Sequence, residues 1–221
     1  MRRFNQLIQT GSALFLIGMV ALPNLATAQQ PAAPEVVELG KKLYAQNCSV
    51  CHQADAIGIP GFAPSLANAE FLSVASDKFL LSTIRAGRPG TGMPPFAHLG
   101  RDQGRAILAY LRSFSDQPNR SAEIDAQPVA HGDAAHGGML YTQICSTCHG
   151  PEGDGYMAGG TGTAIGKVGT LAKVSDGFLR TTIKEGRSNT RMLGFSGPAA
   201  MADLTDQEID DVIVYLRTLV N

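Results

Sequence analysis

The feature that most constrains this chain is a pair of cysteines followed directly by a histidine, because it occurs twice. The first copy is "CSVCH", which ends at His52, and the second is "CSTCH", which ends at His149. These copies contain all 4 cysteines of the 221-residue chain. The fold must therefore bring two thiols and one imidazole together at two separate places.

The two motifs belong to a longer internal repeat. "GKKLYAQNCSVCH", from Gly40, matches "GGMLYTQICSTCH", from Gly137, at an offset of 97 positions. Further along, "DKFLLSTIRAGRPGTGM", from Asp77, matches "DGFLRTTIKEGRSNTRM", from Asp176, at an offset of 99 positions. Two copies of a segment this long indicate a tandem duplication of one small domain.

The duplication sets the predicted domain boundaries. Between the copies lies a segment rich in Pro, Asp, Gln and Ala and poor in large apolar residues, which is typical of a linker. We predict a signal peptide at residues 1–28, repeat one at 35–115, the linker at 116–134 and repeat two at 135–221.

Apolar residues at helical spacing predict an all-α fold for both repeats. Near the end of repeat two, Ile209, Val212, Ile213 and Leu216 share one helix face, and "TDQE" from Thr205 is a capping box that starts this helix. No stretch shows the sustained alternation of a strand.

Two further helical features recur in both repeats. Gly40 lies four residues before Tyr44 on one helix face, and the missing side chain would let the closing helix approach there. A short helix is predicted at 77–86 and again at 176–185, and Gly87 and Gly186 end these two copies.

The C-x-x-C-H pattern is the attachment site of c-type haem. The two thiols add across the vinyl groups of the porphyrin, and the adjacent histidine ligates the iron. The predicted attachment residues are Cys48, Cys51, Cys145 and Cys148, and the predicted iron ligands from these motifs are His52 and His149. Each repeat is therefore expected to bind one haem covalently.

Three other uses of the cysteines fit less well. A thioredoxin-like redox pair needs a strand and helix setting and gives the histidine no role. Paired zinc motifs usually lie about 15 to 20 residues apart, whereas 93 residues separate Cys51 from Cys145. A structural disulfide would not explain why the histidine recurs.

The second axial ligand decides whether each iron is closed or open to small ligands. Met93 follows His52 in a Gly/Pro loop, and Met192 stands at the matching place in repeat two. A methionine thioether closes the iron site and raises its reduction potential. We expect Met93 and Met192 to be the ligands, with Met157 and Met201 as competitors in repeat two.

The ordered motifs of each repeat resemble those of class I cytochrome c domains, and the pair resembles the dihaem cytochromes c of bacterial respiratory chains. The likeness covers nearly all of the chain after the signal peptide. It implies that the carbonyl of Pro64 accepts a hydrogen bond from the ring of His52. In repeat two Thr163 takes that position, so the second site is expected to be less rigid and the two reduction potentials to differ.

The N-terminus predicts export. Arg2 and Arg3 precede the apolar segment 12–22, and "ATA" before Gln29 is typical of a signal-peptidase site, with cleavage after Ala28. An uncleaved membrane anchor is the alternative. Cleavage removes two arginines and no acid, which leaves 16 basic and 19 acidic side chains. The expected location is the periplasm, and this negative balance argues against nucleic acid as a partner.

We therefore expect a soluble dihaem electron carrier rather than an enzyme, with no small-molecule substrate. Its predicted partners are redox proteins, such as a membrane quinol-oxidising complex, a dehydrogenase or a terminal oxidase. Two alternatives stay open: an electron-transfer subunit of a dehydrogenase or oxidase complex, and a dihaem peroxidase-like enzyme with one open haem.

Several other polar residues have less definite roles. Arg88 and Arg187 follow the helix-ending glycines, and they either pair with haem carboxylates or lie in solvent. His98 is expected at the surface or facing a haem carboxylate, and no catalytic role is assigned to His131 or His136.

Overall fold

The structure is a computed structural model that describes residues 32–220, so the predicted signal peptide lies outside the described residues. Within this range the only β-pairing is an isolated bridge between Ile59 and Ala63, and the regular structure is helical. No helix between residues 32 and 220 combines the length and hydropathy needed to cross a membrane.

Each repeat places its helices in the same order. Repeat one contains α1 (Pro34–Asn47), α2 (Ser49–His52), α3 (Ala69–Val74), α4 (Asp77–Ala86) and α5 (Arg101–Arg112). After α6 (Ser121–Asp125), repeat two contains α7 (Ala134–Leu140), a π-helix (Tyr141–Cys145), α8 (Ser146–His149), a 3-10 helix (Gly155–Ala158), α9 (Val168–Leu171), α10 (Asp176–Glu185) and α11 (Asp206–Thr218). The predicted bounds of α4 and α10 are confirmed.

The first and last helices of each repeat cross at a glycine, as the sequence predicts. A Cβ added at Gly40 would lie 1.9 Å from the carbonyl oxygen of Ala106 in α5. In repeat two, a Cβ at Gly137 would lie 2.0 Å from the carbonyl oxygen of Asp211 in α11. Only glycine allows two helix backbones to approach this closely.

The predicted helix ends are also present. The hydroxyl of Thr205 accepts from the N–H of Glu208, while the Glu208 carboxylate accepts from the N–H of Thr205 at 2.8 Å. Gly87 and Gly186 end α4 and α10 with φ values of +63° and +68°. Such left-handed backbone is accessible mainly to glycine, so these residues turn the chain toward the methionine loops.

Both closing helices contain the sequence "YLR", from Tyr110 and from Tyr215, and its arginine makes the same contacts in each repeat. Arg112 donates to the carboxylate of Asp77 at the start of α4, with Nη2 2.7 Å from Oδ1, and Arg217 makes the equivalent bond to Asp176 at 2.6 Å. Both guanidiniums also donate to backbone carbonyls before α4 and α10. The closing helix is thereby joined to the helix that leads into the methionine loop.

The segment predicted as a linker packs against both repeats. Arg120 forms two hydrogen bonds with Glu185 of repeat two, and its backbone N–H donates to the carbonyl of Ser73 in repeat one at 2.8 Å. Ile124 in α6 is buried, and a Cβ at Gly177 in α10 would lie 1.9 Å from its carbonyl oxygen. The two repeats accordingly belong to one compact unit.

His136 lies in α7 and binds α11. Its ring Nδ1 is 2.7 Å from Oδ2 of Asp211, which is only 4% exposed. The hydrogen bond to Asp211 raises the pKa of His136. Burial by itself would raise the pKa of Asp211, but hydrogen bonds from His136, Gln207 and the N–H of Asp133 together lower it.

Replacing Gly40 with alanine should destabilise the protein. The added methyl group would collide with backbone atoms that cannot rotate away, so we expect a loss of about 1–3 kcal/mol or more in unfolding free energy. Urea denaturation followed by circular dichroism measures the change. Gly104→Ala is the matched control because a Cβ there meets only a side-chain methyl at 3.8 Å. It should stabilise α5 by about 0.5–1 kcal/mol, and equal effects of the two substitutions would contradict the close crossing.

The ion pair of His136 and Asp211 predicts a pH-dependent contribution to stability. A raised histidine pKa stabilises the folded state below about pH 6.5 and loses this effect as pH rises through the folded value. An aspartate whose pKa is lowered on folding stabilises the folded state above about pH 3.9. This stabilisation is lost as the pH falls through the pKa of the folded state.

His136→Gln should therefore reduce the urea midpoint most between about pH 4 and 6.5, and least in alkaline solution. Urea titrations of the substituted and unsubstituted proteins across this range measure the difference. His131→Gln, at an exposed position, should leave the pH profile unchanged. A loss of stability that is constant with pH would refute the ion pair.

Candidate haem sites

The structure places each C-x-x-C-H motif at the end of the first helix of its repeat. Cys48 follows α1, and α2 carries Cys51 and His52. None of the four cysteines is joined in a disulfide, and all are half-buried. Burial first, and then the neighbouring cysteine, raise the pKa of Cys48 and of Cys145 to about 11.

The two motif histidines have the same backbone partner in each repeat. Nδ1 of His52 lies 2.9 Å from the carbonyl oxygen of Pro64, and Nδ1 of His149 lies 2.7 Å from that of Thr163. A carbonyl only accepts, so Nδ1 carries the proton and the lone pair of a neutral ring is on Nε2, where a metal ligand needs it. The predicted partners Pro64 and Thr163 are confirmed.

Burial keeps both rings in the form that binds iron. It lowers the pKa of His52 and of His149, while the carbonyl hydrogen bonds oppose the decrease and nearby arginines add to it. A ring with a lowered pKa is neutral at pH 7, and neutral imidazole is the metal ligand.

A tyrosine from the first helix fixes the end of each motif helix. The Tyr44 hydroxyl donates to the carbonyl of Gln53 at 2.8 Å, and that of Tyr141 donates to the carbonyl of Gly150 at 2.7 Å. The two side chains are 1% and 0% exposed. Since each carbonyl directly follows a motif histidine, these bonds hold that histidine against the helix that crosses at the glycine.

The methionine loops have the same internal hydrogen bonds in both repeats. The backbone N–H of Arg88 donates to the carbonyl of Met93 at 3.0 Å, and that of Arg187 donates to the carbonyl of Met192 at 2.7 Å. Inside each loop, a threonine hydroxyl accepts from the N–H of the methionine. The loops are thus closed hairpin-like turns that present a methionine.

The threonines of these loops, Thr91 and Thr190, are residues that the sequence analysis did not single out. Each hydroxyl also donates to the carbonyl of the preceding arginine, at 2.7 Å and 2.8 Å. The signal was available, because threonine recurs in register within "GRPGTGM" and "GRSNTRM".

The other residues considered as a second iron ligand lie at exposed positions. Met192 packs against the hydrophobic core, whereas Met157 and Met201 are 71% and 72% exposed. His98 is exposed and its ring lies 6.0 Å from that of Phe96. Only Met192 therefore combines the matching loop position with partial burial in repeat two.

Unpartnered buried atoms test whether a cofactor fits each repeat. Within residues 32–220, the hydroxyl oxygens of Thr83 and Thr182 and the Nε atoms of Arg88 and Arg187 are buried and have no hydrogen-bond partner. The members of each pair are 99 positions apart, so both repeats lack a polar partner at the same places. Buried polar groups are almost always hydrogen-bonded, and a cofactor with polar substituents, one per repeat, would supply the partners.

Comparison with protein families assigns both halves of the chain. Residues 35–111 match the family described as cytochrome c oxidase, cbb3-type, subunit III, and residues 134–220 match the family described as cytochrome c. The chain belongs to the c-type cytochromes. It is a tandem, dihaem member, and the two C-x-x-C-H motifs bind two covalently attached haems.

Relatives of this cytochrome include oxidase subunits. It is 29% identical, over 90% of its length, to the cbb3-type cytochrome c oxidase subunit CcoP of Rubrivivax gelatinosus. It is 27% identical, over 91% of its length, to the subunit FixP of a Bradyrhizobium species. The cytochrome spans 59% and 68% of the lengths of these two relatives.

A solved structure shares the fold. A chain of the reducing HAO-like protein complex of Kuenenia stuttgartiensis matches with a TM-score of 0.50 and 22% sequence identity. The match covers 83% of this cytochrome and 96% of that chain. The arrangement of two tandem helical domains therefore occurs in a known structure.

Removing the hydroxyl of Tyr44 or Tyr141 should weaken the haem-motif helix. Tyr141→Phe leaves the buried carbonyl of Gly150 without its donor, which typically costs about 1–3 kcal/mol, and Tyr44→Phe should cost less because its bond to Gln53 is only partly buried. Urea denaturation of the holoprotein measures the loss. Tyr110→Phe is the control, since its ring packs 5.3 Å from that of Tyr44 but its hydroxyl takes part in neither bond. A similar loss in all three variants would contradict the assigned role.

Proposed function

We propose that this cytochrome transfers single electrons between redox proteins, with each haem iron ligated by a motif histidine and a loop methionine. The observation that carries the proposal is the repetition of one complete set of positioning bonds, from the histidine carbonyl partner to the methionine loop. An electron carrier needs ligands that stay in place when the iron changes oxidation state.

The haem supplies the cycle between ferric and ferrous iron, and the protein residues hold its ligands. Pro64 and Thr163 orient the histidine rings through their carbonyls. Hydrogen bonds from Thr91 and Thr190 stiffen the methionine loops. Both sets of bonds favour ligands that move little, which suits electron transfer better than the binding of a substrate.

Met93 and Met192 are the proposed second ligands, in preference to Met157 and Met201. Support comes from the matching loops, in which the backbone of each methionine is held by an arginine N–H and a threonine hydroxyl. The high exposure of Met157 and Met201 is unfavourable for a ligand, because a haem site excludes most of the water.

A second candidate is an electron-transfer subunit of a terminal oxidase complex. The relatives named as cbb3-type oxidase subunits favour it. Affinity purification from native membranes after mild detergent extraction separates the two candidates. Stable recovery with the other subunits of an oxidase would establish the subunit, and recovery as a single chain would establish a free carrier.

The proposed location is the periplasm, after cleavage of residues 1–28. Support comes from the sequence of that segment, in which two arginines precede an apolar stretch and a small-residue cleavage pattern. Fractionation of cells with N-terminal sequencing tests this proposal. A mature protein that begins at Gln29 in the periplasmic fraction is expected, and an intact N-terminus in the membrane fraction would point to an anchor instead.

The ligand assignment predicts a definite optical result. Methionine-ligated ferric haem has a weak far-red absorption band, and the alkaline pyridine assay gives the haem count. The unsubstituted holoprotein should show two haems and a band of matching size. Met93→Ala and Met192→Ala should each remove about half of the band, because each would open one iron.

Met201→Ala and Met157→Ala are the matched controls and should retain the full band. If Met201→Ala lost half of the band and Met192→Ala retained it, Met201 would be the methionine ligand in repeat two instead of Met192. A band that corresponds to only one haem in the unsubstituted protein would refute the carrier and favour an enzyme with one open haem.

A further inference from the structure

The two repeats contact each other with approximate two-fold symmetry. Phe79 and Phe178 occupy equivalent positions, 99 apart, and their ring centroids lie 5.4 Å from each other. When equivalent residues of two copies meet, they lie on the rotation axis that relates the copies. Other equivalent residues near this axis must also be close together.

The arginines of the methionine loops cross the same contact reciprocally. Arg88 of repeat one donates through Nη2 to the hydroxyl of Thr170 and, at 3.0 Å, to the carbonyl of Ala164. The guanidinium carbon of Arg187 lies 4.9 Å from the ring centroid of Phe71. Because Thr170 is the equivalent of Phe71, each arginine reaches the same position on the other repeat.

The residues that follow the two arginines, Pro89 and Ser188, also contact equivalent positions on the opposite repeat. Ser188 hydrogen-bonds the carboxylate of Glu70, and at the equivalent position a Cβ at Gly169 would lie 2.7 Å from the nitrogen of Pro89. Lys173 adds a further cation, whose Nζ donates to the carbonyl of Gly87. Three cationic groups and one carboxylate therefore surround this part of the contact.

The two guanidiniums have unsatisfied donors and repel each other. Nε of Arg88 and Nε of Arg187 are both buried without a partner. Burial, and then the neighbouring Arg88, lower the pKa of Arg187 to about 10, so it still carries its charge at pH 7. The phenol of Tyr156 also lies here, where burial raises its pKa and the two guanidiniums oppose that rise.

Two adjacent guanidiniums that are half-buried, each with a buried Nε atom, need more negative charge than this cluster contains. An unpaired buried charge is strongly unfavourable, and guanidinium groups match carboxylates in shape and hydrogen-bonding geometry. Glu70 provides one carboxylate, near Arg187. Each haem carries two carboxylates of its own, and there is one haem for each arginine.

We propose that Arg88 and Arg187, together with Tyr156, bind one haem carboxylate from each repeat at the contact between the repeats. The reduction potential of each haem then depends on both arginines, and the two irons are electrostatically coupled. This proposal rests on the proposed function, because it requires two haems of intact ligation in one chain.

Substitution of either arginine should lower both reduction potentials. A carboxylate without its guanidinium partner stabilises the more positive ferric iron. In Arg88→Gln and in Arg187→Gln, both midpoints should move downward. The larger shift should correspond to about a tenfold change in the ferric-to-ferrous ratio at a fixed potential, which is about 59 mV for one electron.

Potentiometric titration of the holoprotein measures both midpoints. In a parallel sample, Met93→His identifies the repeat-one transition, because replacing methionine by histidine lowers the potential. Arg85→Gln is the matched control, with the same charge change at an exposed position near the end of α4. It should leave both midpoints nearly unchanged.

Lysine variants protect the test against misfolding. Arg88→Lys and Arg187→Lys retain the charge, so their midpoints should lie closer to those of the unsubstituted protein than the glutamine variants do. If the glutamine variants fail to fold, the shared site still predicts that each lysine variant shifts both midpoints. A shift confined to the repeat that carries the substitution would overturn the shared site.

A free anion in the same cluster is the competing explanation. Inorganic phosphate should not change the midpoints of the unsubstituted holoprotein if haem carboxylates fill the cluster. A phosphate-dependent shift that disappears in Arg88→Gln would overturn the proposal.

Haem count and far-red band, measured on the same samples, separate the two proposals. If Arg88→Gln and Arg187→Gln retain two haems and a full band, and their midpoints match those of Arg85→Gln, the carboxylate site is refuted while the proposed function stands. A missing band in the unsubstituted protein would refute the proposed function.

Discussion

The close crossing of the first and last helices is the constraint on which each repeat depends. The backbones of α1 and α5 approach at Gly40 so closely that no side chain fits between them, and α7 and α11 do the same at Gly137. This crossing buries the tyrosine one turn further along, and its hydroxyl holds the carbonyl after the motif histidine. The helix crossing thus helps to position the histidine. The arginine at the end of the closing helix binds the aspartate at the start of α4 or α10, and this contact positions the helix that leads into the methionine loop.

The two repeats are similar in their positioning bonds but differ in two local features that bear on rigidity. Repeat one has an uninterrupted α-helix before its motif and a proline as the carbonyl partner of the histidine. In repeat two a π-helix, Tyr141–Cys145, replaces the last turn, and threonine takes the place of the proline. π-Helical turns are often found at functional sites. The expectation that the second site is less constrained therefore has two independent local causes, which would let the two haems differ in reduction potential.

Much of each repeat could be predicted because its signals are local. Helix bounds, the capping box at Thr205 and the helix-ending glycines follow from short patterns. The carbonyl partner Pro64 was implied by the resemblance to class I cytochrome c domains, and the register of the duplication then pointed to Thr163. The register also carried information that single-site reasoning did not use, such as the recurring threonine of the methionine loops. The linker was harder to interpret, since composition alone does not show that Arg120 bonds to both repeats.

The sequence by itself determined the chemistry: the spacing of two thiols and an imidazole specifies haem attachment, and its repetition specifies two haems. It also determined the all-α fold, because helix periodicity and end signals act over a few residues. Only the tertiary structure decided how the repeats face each other, with Phe79 against Phe178 and the two loop arginines side by side. The physical reason is that such contacts join residues 99 positions apart through shape and burial, and no local pattern distinguishes an arginine that lies in solvent from one enclosed between two domains.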